Sequence, residues 1–399
     1  MLVQEILSGA VQYLRPSVER PIYHTMEREL GISSKRMDNI KDIDGAAVCF
    51  AVAGDLPDDS AIVEQIDLPN AGEWSFSFSP KAGSLLIIAS QARLLFSTWC
   101  YLDEELGDFE LSDYSGSGRP EGVLLQTAFD WNRPVYDSLL TQLQRTARGF
   151  DWKGHIREQA RIGHSHIEVN ALSTPHGLEP GVPNEVYPVF YTYCAALDQF
   201  SSSKLNKGCY PKEYLAANMA LLKRYADEAL RYGMQPGMLC FEPRNAPDLL
   251  LDRYPMLRGA RVDHPFRSLK PRYSLTLSHP YVRSHYKELV QNILQKVPEL
   301  GYISITSNDS GAGFEFTRSL YVGSNGGPYL IREWKSVEEI AKTAAKNAMS
   351  FFKLIRDVGR EINPDFRVIM RLEPFGSERE YVLEELGDGI DVEGASFQH

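Results

Sequence analysis

Residues 302–313 read YISITSNDSGAG, and this segment indicates the fold class most directly. It begins as a short run of apolar and β-branched residues and then changes abruptly to Asn308 and Asp309, followed by glycine-rich sequence. A short apolar run bounded by turn residues is typical of a buried parallel strand. Barrel enzymes carry their catalytic groups at the carboxyl ends of such strands.

A helix followed by a strand recurs through the rest of the chain. Helical periodicity over residues 212–232, 280–297 and 336–358 leads each time into an apolar segment. The six candidate strands lie at 123–129, 166–172, 237–241, 302–307, 366–372 and 389–392. Strands that alternate with helices predict parallel βα units with right-handed crossovers.

Six such units fit either a doubly wound sheet or most of a (β/α)8 barrel of the TIM type. An acidic or Asn residue lies near the end of each candidate strand or just after it: Asp130, Asn170, Glu242, Asp309, Glu373 and Glu393. A dinucleotide-binding sheet would instead place glycines in its first turn, and the sequence has neither that fingerprint nor a P-loop. We therefore predict an α/β barrel. Since eight strands need two further units, we expect the barrel to be incomplete at the C-terminus.

The region before residue 119 predicts a separate small α+β domain. Its candidate strands lie at 45–53, 73–79 and 85–89. An amphipathic helix pattern covers 92–106, and the first thirty residues predict one or two more helices. Because residues 111–122 are rich in Ser, Gly and Asp, they read as a linker. The predicted domains are therefore 1–118, the α+β domain, and 119–399, the barrel.

Composition restricts the partners. The chain has 42 basic and 53 acidic residues, and this net charge of −11 argues against nucleic acid as a partner. No segment approaches the ~18 apolar residues that a membrane-spanning helix needs, and the N-terminus lacks the parts of a secretory signal. We therefore expect a cytoplasmic protein without a membrane partner. The sequence does not indicate an oligomeric state.

The sequence points to no metal and no cofactor. Its five cysteines fit neither a disulfide framework nor a zinc motif. His164 and His166 have a spacing that could hold a metal, but no carboxylate or third His lies nearby in sequence. The same spacing fits two packed histidines, which is the reading we prefer.

Two carboxylates are the candidates for catalysis. Asp309 follows the clearest apolar strand and precedes a long glycine- and aromatic-rich loop, although it could instead cap a turn. Glu373 follows the strand at 366–372, although it could instead pair with Arg371 or Arg244. Carboxylates at the ends of neighbouring strands can lie about 5–10 Å apart, which suits the paired carboxylates of glycoside hydrolysis.

Polar and aromatic residues after other strands are candidates for binding a sugar. Carboxylates and amides bond sugar hydroxyls, an Arg fork suits a carboxylate or a diol, and an indole ring offers a stacking surface. The candidate binding residues are Asn308, Glu242, Arg244, Trp131, Arg133 and Asn170. Glu242, Arg244, Trp131 and Arg133 could equally form ion pairs or other structural contacts at the rim.

Two segments resemble known carbohydrate-active enzymes. LLIIASQARLLFSTWCYLDEEL, residues 85–106, looks like the end of the small α/β domain that precedes the barrel in family 20 hexosaminidases and α-glucuronidases. WKGHIREQARIGHSHIEVNAL, residues 152–172, is similar to the early barrel helix and strand of the same enzymes. The resemblance implies a barrel glycosidase with a carbohydrate substrate and no cofactor.

The resemblance breaks at the fourth strand. Family 20 enzymes carry an Asp-Glu pair there, and the matching positions here are Asn308 and Asp309. An α-glucuronidase-like arrangement would instead use Asp309 with Glu373, and Arg133 or Arg244 would hold a uronate. The prediction is a glycoside hydrolase that acts on a hexosaminide or uronide by acid/base chemistry. The alternative is a degenerate barrel that binds carbohydrate without cleaving it.

Overall fold

The computed structural model describes most of the chain and divides it into two compact units. The described residues are 2–8, 10–13, 20–31, 47–55, 73–79, 84–108, 123–126, 131–134, 151–171, 196–263, 271–308, 311–319, 323–324 and 336–394. Unit 1 contains those up to Pro134, together with Asp151–Ile167 and Glu228–Gln235. Unit 2 contains those of Glu168–Asp227 and those from Pro236 onward. The predicted domain boundary at residues 118 and 119 lies outside the described residues.

Unit 1 is built on a mixed five-stranded sheet in the order β1-β2-β4-β3-β5. Its strands are β1 (Ala10–Tyr13), β2 (Ala47–Val52), β3 (Glu73–Ser79), β4 (Ser84–Ala89) and β5 (Val123–Gln126). Its helices are α1 (Val3–Leu7), α2 (Pro21–Leu30), α3 (Arg93–Leu106) and α4 (Trp152–Arg161). β2 runs parallel to β1 and β4, whereas β3 runs antiparallel to β4 and β5. The predicted strands and the helix at 92–106 are thus confirmed.

Two predictions for this region were wrong. Residues 10–13 form β1 between α1 and α2, where we predicted only helices, because these four residues gain their strand structure from pairing with the distant β2. The sequence also predicts the strand at 123–129 as the first strand of the barrel. The structure instead pairs β5 antiparallel with β3, so this strand belongs to the sheet of unit 1. A short strand's own sequence does not reveal its partner.

A second five-stranded sheet, in the order β14-β13-β10-β7-β6, belongs mainly to unit 2. These strands are β6 (His166–Glu168), β7 (Gln235–Phe241), β10 (Tyr302–Thr306), β13 (Arg367–Arg371) and β14 (Ile390–Glu393). The short strands β8 (Arg258–Arg261), β9 (Tyr273–Leu275), β11 (Arg318–Ser319) and β12 (Gly323–Ser324) form two small antiparallel pairs. β10 pairs parallel with β7 and β13, and β13 pairs parallel with β14.

Helices connect the parallel strands, as the alternating pattern predicts. They are α5 (Lys212–Arg231), α6 (Asp248–Arg253), α7 (Pro280–Lys296), α8 (Val337–Arg360) and α9 (Arg379–Glu384). Every residue of β10 is buried, which fits its apolar sequence and central place in the sheet. Gly237 of β7 allows close packing, since a Cβ there would overlap the ring of Tyr302. The α/β class and the parallel sheet are confirmed, and closure into an eight-stranded barrel stays a prediction.

Candidate active site

The carboxyl ends of β7, β10 and β13 meet at one edge of the sheet. Phe241 of β7 is level with Thr306 of β10, and Ile305 is level with Met370 of β13. Glu242 directly follows β7, and Glu373 lies two residues beyond β13. Because β10 lies between these two strands, the backbones at Glu242 and Glu373 are about 10 Å apart, or two strand spacings.

Glu242 is held in place by donors from three segments of unit 2. Its side chain is buried, at 2% exposure. Oε1 accepts a hydrogen bond from the Leu197 N–H at 2.8 Å. Oε2 accepts one from the Arg244 N–H at 2.8 Å and a longer one from the Tyr286 hydroxyl at 3.4 Å. Both carboxyl oxygens are therefore engaged by groups of the protein itself.

Burial makes the Glu242 carboxyl titrate near neutrality. Removal from water raises its pKa from 4.5 to about 7, because the charged form is the costlier one to bury. The N–H donors of Leu197 and Arg244, the positive charge of Arg244 and the Tyr286 hydroxyl oppose this rise. A carboxyl group that titrates near 7 has the property of a general acid at physiological pH.

A small polar cavity surrounds Glu242. It is lined by Asp198, Glu242, Arg244, Asn245, Ala246, Pro247, Leu250, Leu275, His285, Tyr286 and Leu289. The cavity has a volume of about 10 Å³, which is roughly the room for one water molecule. Glu242 and Arg244 are buried in its wall, and Asp198 is half-buried. Two carboxylates and one guanidinium thus share a small space.

Two polar residues of α7, His285 and Tyr286, also line this cavity. The Tyr286 phenol has a raised pKa, first because it is buried and then because the charges of Glu242 and Asp198 oppose its ionisation. His285 lies 2.6 Å from the Ser203 hydroxyl through Nδ1, and burial lowers its pKa to about 3. The imidazole is therefore neutral at physiological pH, and the hydroxyl of Tyr286 stays protonated.

The two predicted asparagines make hydrogen bonds within the fold. Asn308 has a positive φ of 55°, and its Oδ1 accepts from the Phe314 N–H at 3.0 Å and the Thr317 hydroxyl at 2.7 Å. Asn170 bonds both backbone polar groups of Leu239 in β7, its Nδ2 donating at 2.7 Å and its Oδ1 accepting at 2.8 Å. Both side chains are buried, and these contacts give each a structural role, Asn170 against the middle of β7 and Asn308 against the segment at 314–317.

The other predicted residues lie in different surroundings. Trp131 and Arg133 belong to unit 1, where the Trp131 ring stacks on His166 with centroids 3.4 Å apart. Burial, together with the charges of Arg93 and Arg133, lowers the pKa of His166 to about 3. Glu373 is half-buried in unit 2. Asp309 lies outside the described residues, and so does Asp130.

Among the predicted residues that the structure describes, two line one cavity, Glu242 and Arg244. The same cavity has three titratable lining residues that the sequence does not reveal. Those three are Asp198, His285 and Tyr286. No motif surrounds them in the sequence: Asp198 lies in the short 3-10 helix Leu197–Gln199, and the other two lie in the amphipathic helix α7. Among the described residues, no group of three His, Cys, Asp or Glu side chains is placed to hold a metal ion.

Comparison with solved structures identifies glycoside hydrolases of similar fold. A GH138 enzyme targeting pectin rhamnogalacturonan II matches 97% of this chain and 48% of its own, with a TM-score of 0.52 and 10% identity. A GH20 exo-β-N-acetylglucosaminidase from Vibrio harveyi, as an inactive mutant, matches 96% and 54%, with a TM-score of 0.52 and 10% identity. A family 89 glycoside hydrolase from Clostridium perfringens matches 82% and 36%, with a TM-score of 0.50 and 12% identity.

These matches establish a fold similar to that of glycoside hydrolases. At 10–12% identity they bear on the fold alone, and the chain spans between a third and slightly over half of the length of these proteins. No model of a known protein family matches the chain, and no curated protein matches it. Within the described residues, none of the helices has the length and apolar character to cross a membrane.

Proposed function

We propose that this chain is a glycoside hydrolase that cleaves a glycosidic bond in an oligo- or polysaccharide. The observation that carries the proposal is the placement of acidic residues along one edge of the parallel sheet. Glu242 follows β7 and Glu373 follows β13, and Asp309 is the next residue in sequence after Asn308 at the end of β10. The similarity in fold to glycoside hydrolases supports the same reading.

Asp309 and Glu373 are the proposed catalytic pair. One carboxyl group protonates the leaving oxygen, while the other activates water or attacks the anomeric carbon. Strand spacing places the ends of adjacent strands about 5 Å apart, which is within the range that such pairs use. Glu242 supports this edge from a buried position, and no cofactor enters the proposal.

The proposed substrate is a hexosaminide or a uronide, and substitution of Arg244 tests which of the two it is. Arg244 lines the cavity and lies two residues after Glu242 in the chain. A planar guanidinium fork suits a uronate carboxylate, whereas an N-acetylhexosamine offers it only neutral groups. In the Arg244→Gln variant, KM should rise for uronides about tenfold or more and change little for N-acetylhexosaminides.

The alternative function is sugar binding without cleavage. Two observations favour it: both Glu242 oxygens accept from the protein itself, and Asn308-Asp309 stands where family 20 enzymes carry Asp-Glu. Arg244 would then serve as a sugar-binding residue of unit 2.

A screen of chromogenic aryl glycosides, including N-acetylhexosaminides and uronides, tests the proposal. The wild-type chain should turn over at least one of them, and Asp309→Asn and Glu373→Gln should each lower kcat by a factor of about 100 or more. Glu315→Gln serves as the control, because Glu315 is also a half-buried carboxyl but accepts from Thr276. Sugar binding without turnover would select the alternative, and neither binding nor turnover would reject both functions.

A further inference from the structure

A groove in unit 1 runs along helix α2. It is lined by Arg20, Pro21, His24, Thr25, Arg28 and Arg231. All of these residues belong to unit 1, since the last turn of α5 is part of that unit. The groove has a volume of about 470 Å³, which is within the range of sites that bind small ligands. It can therefore hold a ligand, unlike the cavity at Glu242, which has room for about one water molecule.

Three guanidiniums give the lining of this groove a positive charge. The side chains of Arg20, Arg28 and Arg231 are between 39% and 47% exposed. Arg20, His24 and Arg28 follow one another at intervals of four residues, so they lie along one face of α2 about 6 Å apart. Among the described residues that line the groove, none is acidic. A cleft lined by one sign of charge concentrates ligands of the opposite sign.

Arg28 and Arg231 are each held by a carboxylate that does not line the groove. Arg28 donates to Glu29 Oε1 through Nε at 3.0 Å and through Nη2 at 2.9 Å. Arg231 donates to Glu228 Oε2 through Nη1 at 2.8 Å. The side chains of the two carboxylates are only 16% and 6% exposed, so the arginines are the accessible members of both pairs. Because these pairs fix the guanidiniums in advance, binding of a ligand costs less side-chain entropy.

The ion pairs use only part of each guanidinium. Within the described part of the chain, the hydrogen bonds of Arg28 involve Nε and Nη2, and that of Arg231 involves Nη1. A guanidinium carries five N–H donors, so several donors of each residue remain for acceptors in the groove. Two parallel N–H groups of a guanidinium match the two oxygens of a carboxylate. The lining is therefore suited to carboxylate groups that repeat along a ligand.

We infer that this groove is a second carbohydrate-binding site, which binds an acidic oligosaccharide through its uronate carboxylates. The inference rests on the proposed function, because it gives the uronide among the proposed substrates an additional site on unit 1. Cations about one helical turn apart meet successive carboxylates of an extended chain, whereas one small anion contacts only one or two of them. The groove would retain a polymeric substrate without taking part in its cleavage.

Calorimetric titration of the full chain with tetragalacturonate tests the recognition of charge in the wild type. The methyl ester of the same oligosaccharide is the matched ligand, because it keeps the sugar rings and loses the charges. The acid should bind about tenfold or more tightly than the ester at low ionic strength, and added salt should reduce the difference. Equal affinity for the two ligands would overturn the inference. Tighter binding of an oligodeoxythymidylate of equal charge would also overturn it, in favour of nucleic acid.

Substitution of Arg28 and Arg231 tests the location of this binding. Arg28→Gln and Arg231→Gln should each raise the Kd for tetragalacturonate about five- to tenfold, and should leave the hydrolysis of aryl glycosides unchanged. Arg161→Gln is the control, because Arg161 is also an ion-paired residue of unit 1 but does not line the groove. Arg20 is kept, because it pairs with the buried Asp55. An unchanged Kd in both variants would reject the groove as the site.

Hydrogen exchange of the wild type locates the site even if the variants do not fold. Tetragalacturonate should slow exchange in peptides that cover residues 20–31, because a bound ligand suppresses local opening of α2, and the methyl ester should not. Equal exchange in this segment with and without the acid, at saturating concentration, would also reject the groove.

Arg244→Gln separates the groove from the proposed active site. Since Arg244 belongs to unit 2, tetragalacturonate should still bind to the groove in this variant. Loss of all binding in Arg244→Gln would overturn the inference. Hydrolysis of aryl glycosides without binding at the groove would reject this site and leave the proposed function intact. Binding that depends on Arg28 and Arg231, without hydrolysis of any glycoside, would support this site and reject the proposed function.

Discussion

Asp55 in unit 1 and Glu242 in unit 2 are both buried carboxylates, but they have different partners. Asp55 receives the two-pronged guanidinium of Arg20, at 2.7 and 2.8 Å, and the Tyr23 hydroxyl at 2.9 Å. Glu242 receives two backbone N–H groups and a tyrosine hydroxyl, which are neutral donors. A paired guanidinium compensates a buried negative charge, whereas neutral donors do so only in part.

The difference shows which of the two carboxylates is suited to a functional site. The pairing with Asp55 raises the pKa of the Arg20 guanidinium, as expected for a stable ion pair. Glu242 instead has a pKa of about 7 because burial outweighs its hydrogen bonds and the nearby charge of Arg244. Asp55 thus has the features of a structural ion pair, and Glu242 those of a group that changes protonation in the physiological range.

The largest expected effect comes from making Glu242 unable to titrate. The pKa of Glu242 is about 7 in the folded state and 4.5 in the unfolded chain. The contribution of Glu242 to stability is therefore complete below pH 4.5 and is lost as the pH rises through 7. In Glu242→Gln this loss is absent. Between pH 5 and pH 8 the stability of the variant relative to the wild type should therefore increase by roughly 2–3 kcal/mol.

Urea denaturation at pH 5 and pH 8 measures this change. The poor hydrogen-bond match of the new amide destabilises the variant at both pH values and cancels in the difference. Glu315→Gln, whose carboxyl is also raised in pKa by burial, should show a change of the same sign. An equal stability difference at the two pH values would contradict the pKa assigned to Glu242.

Removal of the Asp55 charge should have the next largest effect. Asp55→Asn leaves the Arg20 guanidinium without its anionic partner and should lower the free energy of unfolding by about 2 kcal/mol at pH 7. The loss is smaller than for a fully buried pair because the Arg20 side chain is 39% exposed. Urea denaturation measures it, and hydrolysis of aryl glycosides should stay unchanged. A loss below ~0.5 kcal/mol would show that the ion pair contributes little.

Glu242 also illustrates which features of the structure can be predicted from the sequence and which cannot. Periodicity predicted the longer strands and helices, and it placed Glu242 at a strand end, because local patterns of apolar residues set the local structure. It did not predict β1 or the short strands β8, β9, β11 and β12. The pKa of Glu242 could not be predicted, since its donors Leu197 and Tyr286 are 45 and 44 residues away in the chain. Asp198 was missed for the same reason: only the folded structure brings its turn to Glu242.

Sheet membership was the other part that the sequence could not supply. Residues 123–126 have the apolar character of a strand, but this character is compatible with either sheet. Pairing with β3 is a long-range contact, which no local signal specifies. The four residues of β1 are also too few for a distinct alternating pattern, and they were therefore assigned to the helical region around them.

Arg20→Lys should produce a smaller effect that separates charge from geometry at Asp55. Lysine keeps the positive charge but loses the planar fork that makes two bonds to the carboxylate. We expect a loss of about 1 kcal/mol, between the wild type and Asp55→Asn, by urea denaturation. A loss as large as that of Asp55→Asn would mean that geometry, and not charge, makes the pair.

The smallest expected effect is that of Tyr286→Phe on the titration of Glu242. The Tyr286 hydroxyl lies 3.4 Å from Oε2 and is the weakest of the three donors, and its hydrogen bond lowers the pKa of Glu242. Its removal should therefore raise that pKa further above 7, because a donor that favours the charged form is lost. Carbon NMR of the labelled Glu242 carboxyl, titrated in both proteins, measures the shift. An unchanged or lower pKa would show that the two backbone donors alone set the ionisation of Glu242, and that Tyr286 serves only to shield the carboxyl from water.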